Sequence, residues 1–119
     1  MLNDATGFKK LYIAAGYTDL RGGIDRLSLL IKERFGLNPF ESGTLFLFCG
    51  RRNDRIKGLV WEEDGFLLLY KRLEAGKFRW PRHAHEARAI TQGQYVWLMQ
   101  GLSIEQKKLI PKIRPKVPA

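Results

Sequence analysis

The chain has 119 residues, of which 45% are hydrophobic and 28% are charged, so it is long enough for one buried core and too apolar to be disordered. Its 21 Lys and Arg residues outnumber its 12 Asp and Glu residues, and the resulting net charge of +9 makes nucleic acid the favoured partner. The single cysteine excludes an internal disulfide and a zinc site of paired cysteines, and no apolar run approaches the ~20 residues that span a bilayer.

The first third of the chain predicts a strand followed by a helix. The segment KLYIAAG at residues 10–16 is rich in β-branched and aromatic residues and ends at a glycine, which is typical of a short strand. Apolar residues then recur at spacings of three and four between residues 22 and 35, which predicts one amphipathic helix. We expect Thr18 or Asp19 to cap its start and Gly36 to adopt the left-handed conformation after its end.

The middle of the chain predicts three consecutive strands, at residues 44–49, 55–61 and 66–71. The short links GRRND and EEDG between them favour antiparallel hairpins. The first and third of these strands are apolar at successive positions, so both faces of the sheet must be covered. One helix cannot cover two faces, and the sequence therefore requires further cover from another segment.

The C-terminal third predicts an extended arm, a second helix and a tail. Trp80 precedes a proline and favours extended backbone, so residues 78–81 should form a strand end or an arm. Thr91 and Gln94 have capping-box spacing, Gly101 can end the helix that they begin, and we expect this helix at residues 91–100. We predict one α+β domain at residues 1–110 and a basic, proline-rich, disordered tail at residues 111–119.

Basic residues are concentrated between residues 51 and 82. If the three middle strands pair as hairpins, the arginines of the GRRND turn and the cations that end the third strand lie at the same end of the sheet. Arginine forks match phosphate oxygens, and the interleaved aromatic residues Tyr70, Phe78 and Trp80 could stack on bases or wedge between them. The alternative is that the aromatic residues are core and the cations only solvated. The predicted DNA-binding residues are Arg21, Arg51, Arg52, Arg55, Lys57, Lys71, Arg72, Lys77, Arg79 and Trp80.

The sequence contains little that indicates catalysis. Carboxylates could be metal ligands in a nuclease, but Glu62, Glu63 and Asp64 fall in a turn and Asp54 is a typical turn former beside Arg55. The two histidines lie in a loop-like segment without a third ligand, and no nucleotide-binding or nucleophile motif occurs. We therefore predict no enzyme activity, no metal site and no cofactor, with a metal-dependent nuclease as the least favoured alternative.

Three segments carry a resemblance to a known family, namely YIAAGYTDLRGGIDRL, LFLFCGRRNDRIKGLVWEEDGFLLLYKRLEAGKFRWP and ITQGQYVWLMQGL. In order and spacing they resemble the TnpB transposition accessory proteins of the insertion-sequence-66 class, which are unrelated to the RNA-guided nucleases of the same name. The likeness spans about residues 10 to 102, most of the chain. It implies a bacterial mobile genetic element with a separate DDE-type transposase, but it transfers no chemical role to any residue.

Together these observations predict an α+β fold, a small and mainly antiparallel sheet of about four to five strands flanked by two helices. We expect a cytoplasmic, non-catalytic accessory protein that supports transposition by binding DNA, such as the ends of the element, through a basic hairpin edge. The alternative is an adaptor that docks the transposase without touching DNA, with aromatic residues as interface anchors. Uncovered apolar sheet surface would favour a homo-oligomer.

Overall fold

The computed structural model describes residues 5–105. The predicted tail at residues 111–119 and both ends of the predicted domain at residues 1–110 lie outside the described residues. Within them the elements are, in chain order, β1 (Lys10–Ala14), α1 (Ile24–Glu33), β2 (Thr44–Cys49), β3 (Arg55–Trp61), β4 (Phe66–Arg72), β5 (Ala87–Ile90) and α2 (Gln92–Met99). No helix in this part of the chain is long and apolar enough to cross a membrane.

The strands form one sheet in the order β4-β3-β2-β1-β5. The two hairpins predicted from the short links are present, since β2 pairs antiparallel with β3 and β3 with β4. β1 and β5 also pair antiparallel, whereas β1 and β2 are parallel and are joined through α1. A helix is the usual connection between parallel neighbours. The predicted α+β class with a mainly antiparallel sheet and two helices is confirmed.

Each face of the sheet is covered by one helix, which answers the requirement set by the successive apolar residues. On the first face, here called the α1 face, the helix residues Leu27 and Ile31 pack against alternate residues of four strands. On the opposite face, the α2 face, Tyr95 and Leu98 pack against the intervening residues. The strand residues in these two clusters are Tyr12, Ala14, Phe46, Phe48, Leu59, Phe66 and Leu68 on the α1 face, and Leu11, Ile13, Leu45, Leu47, Cys49, Ile56, Val60, Leu67, Leu69 and Ile90 on the α2 face.

The helix ends agree with the sequence at α2 and differ from it at the start of α1. The Thr91 hydroxyl accepts from the Gln94 backbone N–H and the Gln94 side chain accepts from the Thr91 N–H, so the capping box is present. At α1 the N-cap is Gly23, which has no side chain that could accept a hydrogen bond from the first backbone N–H groups of the helix. The predicted cap by Thr18 or Asp19 is therefore wrong, because the helix begins later and Asp19 accepts hydrogen bonds from Arg21 instead.

Residues 78–81 form no strand. Phe78 is fully buried and Trp80 is 4% exposed, both within the α2-face core. The Trp80 indole N–H donates to the Ala14 carbonyl oxygen at 2.8 Å, which pairs its one polar group. The extended segment thus supplies part of the cover for the α2 face, and β5 follows it as a strand that the sequence pattern did not predict.

Candidate nucleic-acid interface

The turn between β2 and β3 projects Arg51 and Arg52, and both side chains are exposed. Arg82, which lies about thirty residues further along the chain, hydrogen-bonds to this turn. Its guanidinium donates to the Gly50 carbonyl at 2.7 Å, and it also donates to the Asn53 side-chain oxygen. Hydrogen bonds from a charged donor are stronger than neutral ones, so the turn is fixed in place before any ligand arrives.

The loop between β1 and α1 forms one wall beside that turn. Its Thr18 N–H donates to the Cys49 carbonyl at 2.8 Å, and the Lys57 ammonium donates to the Leu20 carbonyl. Arg51 lies over the Tyr17 ring, with 5.1 Å from its guanidinium carbon to the ring centroid, a typical cation–π distance. The loop is therefore attached to the ends of β2 and β3 at several points.

Strands β3 and β4 form the floor of the site. The register places Arg55 opposite Arg72 and Lys57 opposite Tyr70. Side chains alternate between faces along a strand, and Leu59 and Leu68 belong to the α1-face core, so these four side chains lie on the α1 face. The Lys57 ammonium is 5.9 Å from the Tyr70 ring centroid, and Tyr70 is 54% exposed.

Turn, loop and floor together enclose an open groove of about 970 Å³. Its lining contains cations from three separate segments of the chain and one carboxylate, that of Asp19. The lining residues are Tyr17, Thr18, Asp19, Leu20, Arg21, Gly50, Arg51, Arg52, Arg55, Lys57, Leu68 and Tyr70. We call this the basic groove.

Two carboxylates lie against groove arginines. Asp19 accepts two side-chain hydrogen bonds from Arg21, at 3.0 and 2.9 Å, and these bonds lower the pKa of Asp19 far below its usual range. Asp54 pairs with Arg55 at 3.0 Å, and its hydrogen bond lowers the pKa of Asp54 and raises that of Arg55. Both pairs are therefore ionised at neutral pH, and they orient the two guanidinium groups without removing the positive excess of the groove.

The predicted DNA-binding residues do not all lie together. Arg21, Arg51, Arg52, Arg55 and Lys57 line the basic groove. Arg72 lies on the same face across from Arg55, where it pairs with Glu74 at 3.5 Å.

Lys71 reaches the same end of the sheet but, by strand alternation, lies on the α2 face. Lys77 and Arg79 line a separate concavity of about 1210 Å³ together with residues 101–105. Trp80 is buried in the core, so its side chain is not available to stack on a base, and we correct its assignment to a packing residue.

Sequence reasoning missed the groove wall formed by Tyr17, Thr18 and Leu20, and the supporting role of Arg82. Arg82 was visible as a member of the basic cluster, but nothing in the sequence indicates that it donates to Gly16 and Gly50 rather than facing solvent. Such bonds depend on where two loops meet, which local patterns do not encode.

The acidic residues, the histidines and the cysteine form no metal-binding group in the described part of the chain. Among residues 5–105 no group of three or more His, Cys, Asp or Glu side chains is placed to hold a metal ion. His83 and His85 are exposed in the loop before β5. Cys49 is buried, and burial raises the pKa of its thiol to about 11, which suppresses the reactive thiolate at neutral pH.

The opposite end of β3 and β4 has a different character. Phe40, Trp61 and Phe66 form an aromatic cluster with ring centroids 4.9 to 5.2 Å apart, and Phe40 is 51% exposed. The adjoining β3–β4 turn carries Glu62, Glu63 and Asp64, all exposed. We call this region the acidic aromatic end.

Comparison with known proteins gives consistent matches along most of the chain. A sequence model of the family described as IS66 Orf2 like protein matches residues 9–109. The chain is 38% identical over 94 residues to uncharacterized protein y4hO of Sinorhizobium fredii, a match covering 78% of this chain and 80% of that protein. It is 29% identical over 115 residues to uncharacterized protein y4jC of the same species, covering 97% of each. No solved structure matches the chain significantly.

Proposed function

The chain belongs to the family of IS66 Orf2-like proteins, and on that premise we propose that it is a non-catalytic accessory protein of insertion-sequence transposition that binds duplex DNA through the basic groove. Family membership supports the role in transposition. The groove supports DNA as a direct partner, and the ends of the insertion sequence are the DNA that a transposition accessory protein would be expected to meet.

The observation that carries this proposal is the convergence of five cations from three chain segments on one groove whose lining holds a single carboxylate. Like charges that approach one another disfavour the folded state. A polyanion would offset that repulsion, and the guanidinium fork matches two phosphate oxygens at once. Arg82 and the attached loop hold the arginines in place before binding, which lowers the entropic cost of contact.

Contacts of this kind would position DNA more than they read its sequence. Arg51 and Arg52 are exposed at the turn and would reach phosphates along the rim. Lys57 is already bound to the Leu20 carbonyl, so it serves chiefly to hold the groove wall. We therefore expect similar affinity for unrelated duplexes, with selectivity for the element's ends arising from the transposase or from DNA shape.

The test is fluorescence anisotropy with a labelled duplex, using the double variant Arg51→Ala/Arg52→Ala. Each charge-assisted hydrogen bond contributes on the order of 1 to 3 kcal/mol, so we expect affinity to fall by at least about tenfold. The matched control is Lys77→Ala/Arg79→Ala, which removes the same charge from the other concavity. Equal losses in the two variants would contradict binding at the basic groove.

A second candidate is an adaptor that docks the transposase, and the acidic aromatic end favours it. Half-exposed aromatic side chains are frequent anchors of protein interfaces, and Phe40 is such a residue within a three-ring cluster. In separate pull-downs of DNA and of the transposase at two salt concentrations, Phe40→Ala would lose the transposase and keep DNA. If the groove variants instead keep DNA and lose the transposase, the adaptor function replaces the DNA-binding function.

A further inference from the structure

The two edge strands of the sheet differ in how well they are protected. β5 has four residues and is followed directly by α2, and short edge strands are a common protection against pairing with another chain. β4 has seven residues, and its register with β3 runs without interruption from Arg55↔Arg72 to Trp61↔Phe66. It contains no proline and no bulge, and within residues 5–105 no strand pairs with its outer edge.

The backbone groups that β4 presents at this edge follow from its hydrogen bonds to β3. The Leu73 N–H donates to the Asp54 carbonyl at 2.6 Å, and the Glu62 N–H donates to the Gly65 carbonyl at 2.8 Å. Hydrogen-bonded pairs alternate along an antiparallel ladder, so residues 67, 69 and 71 direct their backbone groups toward β3. The residues that direct theirs away from the sheet are Phe66, Leu68, Tyr70 and Arg72.

The side chains along this edge indicate what would pair with it. Residues 66–69 are all apolar and all half-buried. Glu62, Glu63 and Asp64 precede the strand, whereas Lys71 and Arg72 end it, so β4 is acidic before one end and basic at the other. A second β4 running antiparallel would place acid beside base at both ends, and a parallel one would place like charges together.

We propose that two copies of this chain pair antiparallel along β4, with the two-fold axis through Leu68, to form one continuous ten-stranded sheet. In this register the outward-facing backbone groups of residue 66 in one copy hydrogen-bond to those of residue 70 in the other. Residue 68 of one copy hydrogen-bonds to residue 68 of the other. The register also sets Phe66 of one copy across from Tyr70 of the other, and brings the β3–β4 turn that carries Asp64 close to Arg72 of the other copy. Aromatic and opposite-charge cross-strand pairs both stabilise sheets.

The pairing has a consequence for the basic groove. A two-fold axis normal to the sheet keeps the α1 faces of both copies on the same side. Leu68 and Tyr70 line the groove, so the two grooves would adjoin at the seam on one face of the sheet, with their basic ends at opposite ends of the paired strands. The two Arg72 residues lie four strand positions on either side of the axis, so they would be about 27 Å apart along the strand direction. This consequence rests on the proposed function, but the pairing itself does not.

Disulfide trapping in the full-length protein tests the register. Residue 67 of one copy would face residue 69 of the other as a non-hydrogen-bonded pair, with Cα atoms about 4.5 Å apart, close enough for a disulfide. Leu67→Cys and Leu69→Cys, oxidised separately, should give little covalent dimer, and their mixture should give the mixed dimer. Wild type is the control, because its Cys49 is buried. A trapped dimer that forms equally in the separate samples, or no trapped dimer in the mixture, would overturn the proposed register.

Sedimentation measurements without DNA test the pairing independently of the groove. The 13.8 kDa chain should sediment with twice that mass. Asp64→Arg and Arg72→Asp should each shift the mass toward the monomer, and the two changes combined should restore the dimer, because the charges are then exchanged in both copies. A monomer at every concentration, or a double variant weaker than either single one, would contradict the pairing. Loss of DNA binding by a protein that still dimerises would contradict only the proposed function.

Discussion

The two ends of the β3–β4 hairpin differ in charge and in how their turns are held. At the basic groove, the β2–β3 turn is fixed by hydrogen bonds from Arg82, which is distant in sequence. At the acidic aromatic end, the turn is flanked by ring contacts among Phe40, Trp61 and Phe66 and is closed by a local hydrogen bond. A turn supported by distant polar groups can keep its own charged side chains free for a ligand. A turn that packs on aromatic rings offers a contact surface instead.

Removal of the Arg82 side chain should produce the largest effect on stability. Arg82→Ala deletes the bonds to Gly16 and Gly50 and leaves those carbonyls without this donor. Hydrogen bonds to charged groups contribute about 1.5 to 3 kcal/mol each, so we expect the free energy of unfolding to fall by about 3 kcal/mol. Urea denaturation measures this change. Arg79→Ala, an exposed neighbour of the same type, should stay within about 0.5 kcal/mol of wild type. Similar losses for both would mean that Arg82 has no special supporting role.

At the other end, Phe40→Ala should have a smaller effect. The Phe40 ring lies 5.0 Å from Trp61 and 5.2 Å from Phe66, and aromatic pairs contribute about 0.5 to 1.5 kcal/mol beyond burial. We expect a loss of about 1.5 kcal/mol in unfolding free energy and unchanged affinity for duplex DNA. Phe40→Leu, which keeps an apolar side chain, is the control. A drop in DNA affinity with Phe40→Ala would show that the two ends are not independent.

The smallest effect should be a gain in stability at the β3–β4 turn. Glu63 has a φ of 71°, which lies in the left-handed region. This conformation is unfavourable for residues that have a Cβ atom. Glu63→Gly relieves this strain, and thermal unfolding should report a stabilisation of about 1 kcal/mol. Glu62→Gly is the control: Glu62 is the neighbouring residue and has no positive φ, so this change should give no gain in stability. A destabilised Glu63→Gly variant would indicate that the Glu63 side chain makes a stabilising contact.

The short links between strands predicted much of the fold and the end of the sheet at which several cations meet. The bounds predicted for β2 and β3 match the structure, and the short links between strands indicated that Arg55 and Arg72 lie at one end. Side chains alternate between the two faces of a strand, so the same predicted strands already imply that Lys71 lies on the opposite face from Arg55 and Arg72. The alternative considered for the aromatic residues holds for Phe78 and Trp80, which are core, and not for Tyr70, which is exposed.

The remainder depended on contacts between distant segments. β5 has only four residues, too few for a clear strand pattern in the sequence, and it forms by pairing with the free edge of β1. The groove wall near Tyr17 is held by Lys57 and Cys49 from other strands. Local sequence patterns do not specify such contacts, so Lys77 and Arg79 could not be separated from the groove cations before their positions were known.

The most direct test of the central claim is the salt dependence of binding to duplex DNA. If Arg21, Arg51, Arg52 and Arg55 each neutralise one phosphate, the logarithm of the affinity should fall with the logarithm of salt concentration at a slope of about −3.6, from roughly 0.9 per contact. Arg52→Ala should change the slope to about −2.7. Lys32→Ala, an exposed charge on α1 outside the groove lining, should leave it unchanged. A slope near zero, or one that Lys32→Ala alters as much as Arg52→Ala, would contradict DNA binding by the basic groove.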